Sequence, residues 1–409
     1  MNNINILFLS LLDFDSLEER NIYTDLLRTF RKKGHNLFII SPVERRKNQP
    51  TRVIENDNVS ILKLRIGNTQ KTNIIEKGIS TLALETLIKK GIKRYYSNVK
   101  FDLVLYSTPP ITFANVIEYI KKRDNAKSYL LLKDIFPQNA VDIGMLTKNG
   151  PKAILYKFFR KKEKKLYRLS DYIGCMSKAN VDYLIKHNPD IDKLKLHINP
   201  NSFEVQNFKR DEQKKVEIYK KYSIPENATT FLYGGNLGKP QDIPFIIECL
   251  KNNINKNDRY FVICGNGTEF NKLEKFVEDN NPDNILLLNW LPRAEYEDFV
   301  RVFDVGLIFL DHRFTIPNFP SRMLSYMQAK MPVLACTDKN TDIGEAIETG
   351  EFGWWCESND EVAFTQKVDK AIQSDLSILG ENAFSYLSKY YSVDLSYEKI
   401  IDCFSKEKI

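Results

Sequence analysis

At 409 residues the chain exceeds what one hydrophobic core usually spans, so two domains are expected. An apolar fraction of 43% and a charged fraction of 28% are those of a soluble globular protein and exclude a disordered or fibrous one. The net charge of +7 conceals an asymmetry: residues 1–200 carry 36 Lys/Arg against 20 Asp/Glu, and residues 201–409 carry 24 against 33. The first half is therefore expected to face something anionic, a membrane surface or a nucleic acid. No apolar run approaches the roughly 20 residues of a membrane span. The first ten residues lack the basic segment and cleavage site of a signal peptide and read as a strand. Six scattered cysteines without a CxxC, and four histidines without metal spacing, point to a reducing cytoplasm and no metal centre.

Strand patterns at residues 4–10 and 36–40 flank a helix pattern at 21–30. Arg31, Lys32 and Lys33 favour the end of that helix and Gly34 stops it. This βαβ opening has no G-x-G-x-x-G, so the dinucleotide fingerprint is absent. Its loop, residues 11–20, is long for a βα connection, as active-site loops often are. A helix pattern at 73–96 ends in mixed cations and aromatics. After it come a strand at 101–106, a helix at 113–120 and a buried strand at 128–132. That strand runs into Lys133 and Asp134, two charged groups at a carboxyl edge, where parallel sheets bind ligands. The alternative makes Asp134 the N-cap of a helix at Pro137.

In residues 151–168, Ile154, Leu155, Phe158, Phe159 and Leu166 share roughly one helical face and cations fill the other. Such a helix packs on a core with a solvated charged face, or lies in a membrane interface. Nucleic acid would also fit the charge, but no helix-turn-helix, RRM or zinc-finger pattern supports it. A strand at 171–177, a helix at 177–187 and a strand at 194–202 complete the half. The polar, lysine-rich stretch 204–227 is a plausible domain boundary.

The second half restarts the alternation with a strand, a loop containing Gly234, Gly235, Asn236, Gly238 and Lys239, and a helix near Gln241. Its glycines let backbone approach a ligand, and a helix N-terminus favours phosphate; a tight turn is the alternative. Residues 260–267 repeat the theme with Gly265 and Gly267, and residues 285–292 read as a strand ending in an aromatic-proline loop with Trp290, Leu291 and Pro292. Buried strand patterns at 305–310 and 332–336 enclose a proline-punctuated loop, Asn318-Phe319-Pro320, that opens a helix at Ser321. With Arg322 in its first turn, this loop has anion-binding character; an ordinary βαβ crossover is the alternative. A single cleft collecting these loops is the economical reading.

Together these motifs resemble a family. Tyr233-Gly-Gly-Asn-Leu-Gly-Lys239, Cys264-Gly-Asn-Gly267, Asn289-Trp-Leu-Pro292, Phe319-Pro-Ser-Arg322 and Met331-Pro-Val333 are spaced as in retaining GT-B glycosyltransferases of family 4. The pattern is similar to the capsule and O-antigen, WbuB-like type. Tyr23-Thr-Asp-Leu26, Lys33-Gly-His35 and Lys133-Asp-Ile-Phe-Pro-Gln138 extend the match over nearly the whole chain. The resemblance implies an α/β fold of two Rossmann-like domains facing a central cleft. Residues 1–200 would form the acceptor and membrane-facing domain, 205–392 the nucleotide-sugar domain, and the helix at 393–409 would pack back on the first. The implied reaction transfers a sugar, an N-acetylated hexosamine or relative, from a UDP-sugar to a polyprenyl-pyrophosphate-linked acceptor at the inner face of the cytoplasmic membrane. No metal or other cofactor is implied, and no nucleic acid.

By position, the resemblance implies catalytic roles for Asp134, Lys239 and Arg322. Donor contacts fall to Gly235, Asn236, Gly238, Gly265, Gly267, Trp290, Leu291, Pro292, Asn318, Phe319, Pro320, Ser321 and Tyr326, and acceptor contacts to Arg20, Asn21 and Lys133. The chain departs from the family pattern where two glutamates eight positions apart are common, having Pro317 and Ser325 there. It also has Lys133 where a histidine is common, and Glu18-Glu-Arg-Asn21 in place of a first-loop diglycine. A UDP-sugar 2-epimerase of the same architecture, or a degenerate member that binds nucleotide-sugar as a scaffold, are the rival readings.

Overall fold

The computed structural model describes residues 3–68, 74–151, 153–208 and 211–405. They form two α/β units: one comprises the chain to Glu204 plus the segment from Val393 on, the other Val205–Ser392.

The first unit is an eight-stranded sheet. Its strands are β1 (Asn5–Leu9), β2 (Asn36–Glu44), β3 (Arg52–Asn56), β4 (Val59–Ile66), β5 (Leu103–Thr108), β6 (Lys127–Leu132), β7 (Tyr172–Cys175) and β8 (Leu196–Ile198). The order is β3-β4-β2-β1-β5-β6-β7-β8, parallel except for the β3–β4 pair. The strands are almost continuously apolar because helices cover both faces. Helix Ile22–Lys32 begins at Asn21, whose side chain accepts from the Tyr23 and Thr24 amides while the Thr24 hydroxyl accepts from the Asn21 amide. The β3–β4 hairpin was not expected from the sequence. It turns on Asp57 at φ +48°, between two β-branched runs. The helix expected from residue 73 runs over Ile74–Tyr95, and Asn73 lies outside the described residues.

Helix Val393–Ser405 packs on this unit: Val393, Ile400 and Ile401 join its core. The Tyr397 ring meets Phe30 at 4.9 Å between centroids, and its hydroxyl lies 3.0 Å from His35 Nε2. Residues 406–409 of the expected terminal helix lie outside the described residues.

The second unit has six parallel strands: β9 (Thr229–Gly234), β10 (Arg259–Cys264), β11 (Ile285–Leu288), β12 (Val305–Phe309), β13 (Val333–Thr337) and β14 (Gly353–Glu357). Their order, β11-β10-β9-β12-β13-β14, reverses direction between β9 and β12. That is a Rossmann arrangement, and the loops leaving β9 and β12 flank its topological switch point. Phe231, Tyr233, Phe261, Leu307, Phe309 and Leu334 fill the core beneath. Among the described residues, no helix is long and apolar enough to cross a membrane.

Candidate functional site

In the second unit the loops after β9, β12 and β13 carry the chemistry. Arg322 opens the seven-residue helix Arg322–Gln328. Its guanidinium lies 4.4 Å over the Tyr233 ring and directly against the bare α-carbon of Gly235, where any Cβ would collide with Nη2. Gly235 itself sits at φ +140°, a conformation that L side chains rarely adopt. Arg322 Nη1 is buried and has no hydrogen-bond partner among the described residues. Burial works against the charge of Arg322, but the polar side chains of Tyr233, Tyr326 and Tyr296, Tyr233 also by a hydrogen bond, outweigh it and hold the group above its ordinary pKa. The guanidinium is thus a permanent cation, wrapped by aromatic surface, with one donor edge unused.

The glycine loops are built differently from the sequence expectation. The Gly235 amide donates to Cys264 O at 2.8 Å, and the Leu237 amide donates to Asn266 O at 2.9 Å. Gly238 N–H points at Gln241 Oε1 (3.3 Å), which also takes the Asn236 Nδ2 donor at 2.8 Å. A Cβ at Gly265 would strike the Gly235 carbonyl, and one at Gly267 the Leu237 backbone. These two glycines therefore let one loop pack onto the other, and what Gly235 gives the site is room for Arg322 rather than a free N–H. Lys239, at the start of the single turn Lys239–Gln241, is exposed and carries no ion pair among the described residues.

Other expected donor residues divide between anchors and open groups. Tyr326 is fully buried: its hydroxyl donates toward Leu232 O (3.2 Å) and Leu307 O (3.3 Å), accepts from Gly234 N–H (3.3 Å), and its ring fills the space left by Gly306. Phe319 is buried against Tyr391, 5.8 Å between centroids, and Pro320 is half-buried. Both hold the loop in place. Ser321 is exposed, as are Trp290 (67%) and Pro292 beyond edge strand β11, with Leu291 half-buried between them. Asn318 is half-buried, and its Nδ2 has no partner.

Sequence reasoning missed Tyr233, Tyr296 and Asp338. Asp338 follows β13 directly, is 1% exposed, and has an unpartnered Oδ2. Burial pushes its carboxyl up to about 7 despite the Asn340 amide bonded to Oδ1 at 2.8 Å. Its loop is tied to the β12 loop, Asn340 Nδ2 donating to Phe314 O (2.6 Å) and the Thr341 hydroxyl to Asn318 O (2.5 Å). A lone carboxylate at the end of a buried strand was the available signal. Asp242, Asp311 and His312 bring ligand atoms within 4.8 Å of one another, yet Arg313 already forks onto both Asp311 oxygens, so one of the two carboxylates is taken.

In the first unit, Lys133 and Asp134 directly follow β6, at its carboxyl edge as expected. Asp134 is no helix cap: Pro137 occupies that position, and Asp134 Oδ2 accepts from Asn139 Nδ2 at 2.6 Å while Oδ1 has no partner. Burial raises Asp134 to about 6 and lowers Lys133 to about 7. Among the described residues, Lys133 Nζ bonds the Asn199 carbonyl alone, at 3.5 Å. Asn199 and Asn201, just after β8, add two more buried oxygens without partners. Arg20 and Asn21, expected on the acceptor side, are engaged elsewhere: Asn21 caps its helix, and Arg20 bonds Asp25 (3.2 Å) and Glu204 O (3.0 Å). The long first loop is fastened by fully buried Lys63, which bonds Asp13, Asp15 (2.8 Å) and Phe14 O (2.8 Å).

Residues 214–385 match the family model described as "Glycosyl transferases group 1". The chain is 25% identical over 338 residues to "Probable glycosyltransferase WbjE" of Pseudomonas aeruginosa, covering 82% of each. Among solved structures, sucrose-phosphate synthase from Thermosynechococcus elongatus superposes with a TM-score of 0.75 at 13% identity, covering 99% of both chains. Anabaena HepE in complex with UDP-glucose does so with a TM-score of 0.68 at 12% identity, over 99% of this chain and 100% of that one. The fold is GT-B, and the matches support glycosyltransferase activity of the group 1 type.

Proposed function

We propose that the chain is a retaining, metal-independent glycosyltransferase of family 4, WbuB-like in type, that uses a UDP-sugar. The acceptor in this reading is a polyprenyl-pyrophosphate-linked saccharide of cell-surface polysaccharide synthesis, met at the inner face of the cytoplasmic membrane. One observation carries the donor half: the unpartnered, permanently charged Nη1 edge of Arg322 beside the Gly235 loop, at the switch point of a Rossmann sheet. Negative charge grows on the β-phosphate as the sugar–phosphate bond breaks, and Arg322 meets that charge from a position already set, with exposed Lys239 as a second cation. Trp290 and Pro292 offer surface for a base, and Asn318 a free donor for a sugar hydroxyl. Asp134, with one oxygen free, takes the acceptor proton or orients the acceptor while the leaving phosphate takes it. HepE, a structural neighbour, is described with UDP-glucose, which supports a nucleotide-sugar partner.

The test is UDP release from a panel of UDP-sugars with and without a lipid-linked acceptor, with NMR of the products. Acceptor-dependent transfer with the α-configuration of the donor kept is the expected outcome. Conversion of the donor without acceptor marks an epimerase, and neither transfer nor hydrolysis above background marks a binding scaffold.

Gly235→Ala is expected to displace the Arg322 guanidinium and weaken UDP binding about ten- to a hundredfold, the loss of one hydrogen bond to a charged group, measurable by calorimetry. Unchanged affinity would detach Arg322 from the phosphate. The basic first half predicts that the chain sediments with vesicles containing anionic lipid. It should be released as salt rises from about 0.1 to 1 M and the screening length shrinks from about 10 to about 3 Å. Binding to neutral vesicles alone contradicts this.

A further inference from the structure

Helix Ala153–Leu169 buries only part of its apolar face. Leu166 and Tyr167 are buried, and Phe159 packs on Phe136 at 5.0 Å between centroids, while Ile154 (75%), Leu155 (49%) and Phe158 (39%) stay exposed. On another side of the same helix lies a cavity of about 500 Å3, closed by the segment from Asn188 to Lys195. Six cations and two aspartates line it. Arg160 is held by Glu163 and by Asn188 Oδ1 (2.7 Å), and Lys195 by Ser170 O (3.1 Å). Lys157, Lys161, Lys164 and Arg168 have no ion pair among the described residues. At 100° per residue, Lys157 and Lys161 stand between the cavity and the stripe formed by Ile154 and Phe158. A concave basic wall beside an outward apolar stripe matches an amphiphile: a phosphate in the cavity and acyl chains along the stripe.

We propose that this cavity is a binding site for the phosphate head group of an anionic phospholipid, seating the first unit on the bilayer at a defined place. The occupant is a lipid rather than a soluble phosphate because the exposed apolar side chains adjoin the free cations. This rests on the membrane part of the reading above but not on glycosyl transfer.

Two charge-matched pairs on one helix test it. Lys157→Gln/Lys164→Gln removes cavity cations. Lys162→Gln/Lys165→Gln removes two that lie outside it and pair with Glu85 (3.6 Å) and Glu118 (2.8 Å). In sedimentation of the full chain with phosphatidylglycerol–phosphatidylcholine vesicles, the cavity pair is expected to weaken binding about thirtyfold, roughly a factor of five per cation near an anionic surface. The outer pair should stay within about threefold. Equal losses for the two pairs overturn the site and leave a diffuse attraction, so the membrane reading survives. No vesicle binding by the unmodified chain overturns both, while transfer in solution remains separately measurable. Glycerol phosphate binding the chain as tightly as the vesicles do, and lost in the cavity pair, overturns the lipid as occupant in favour of a soluble phosphate.

Discussion

Replacing Arg322 with alanine is expected to lower kcat with the accepted UDP-sugar by about 10²–10³, the usual loss when one preorganised charge-stabilising donor is removed. The size of the effect follows from the surroundings. Nη1 is buried without a partner among the described residues, and the guanidinium is fixed by the Tyr233 ring at 4.4 Å and the Gly235 backbone. Lys239 is exposed on a short turn and no ion pair among the described residues fixes it, so it offers no preset position. Arg322→Lys should fall between the two, since it keeps charge but loses the planar fork that stacks on Tyr233. Steady-state UDP release measures both. Unchanged turnover in the alanine variant would remove the phosphate role.

Asp134→Asn is expected to lower kcat by about a hundredfold or more, within the range for a positioned acid–base group. It should also abolish the acid limb of the pH profile. Burial holds the Asp134 carboxyl at about 6, so unmodified enzyme loses activity as pH falls through 6 and the carboxylate takes up a proton. The stability effect has the opposite sign. A carboxyl whose pKa is raised on folding favours the native state at low pH, and that contribution disappears as pH rises through about 6. Asp134→Asn should therefore melt higher than the parent at pH 8 and equally at pH 4. A lower kcat with a higher melting point at pH 8 is the signature of a functional group kept at a cost in stability. An unaltered pH–rate profile would count against Asp134 as the group taking the proton.

Much of the fold was legible because buried parallel strands are long apolar runs with helical patterns between them, and such runs need no partner to be recognised. The β3–β4 hairpin escaped because its short strand Arg52–Asn56 is half polar and lies at a sheet edge, where one face stays wet. In the amphipathic helix, the grouping of Ile154, Leu155, Phe158, Phe159 and Leu166 was correct as an arc. Which part of the arc is covered depends on neighbours such as Phe136 that are remote in sequence. The site divides in the same way. Lys133 and Asp134 stand out as charged groups just past a strand end, and Asn318 and Arg322 as polar groups in a proline-marked loop and the helix it opens, whereas the roles of Gly265, Gly267 and Tyr326 do not. Gly265 and Gly267 are needed for backbone-to-backbone packing, and Tyr326 bolts its helix to β9 and β12.

By itself the sequence determined the two α/β halves, their strand-end loops and the residue types available at them, because hydrophobic period, glycine and proline act locally. Only the tertiary structure decided which of those groups are left open. Arg322 keeps a free donor edge while the Gly235 amide is taken by Cys264, and Asp338 is stranded beneath the β12 loop while Asn21 is consumed as a cap. The reason is physical: hydrogen-bond satisfaction and desolvation depend on which distant segments arrive beside a group, and a linear pattern does not carry that information.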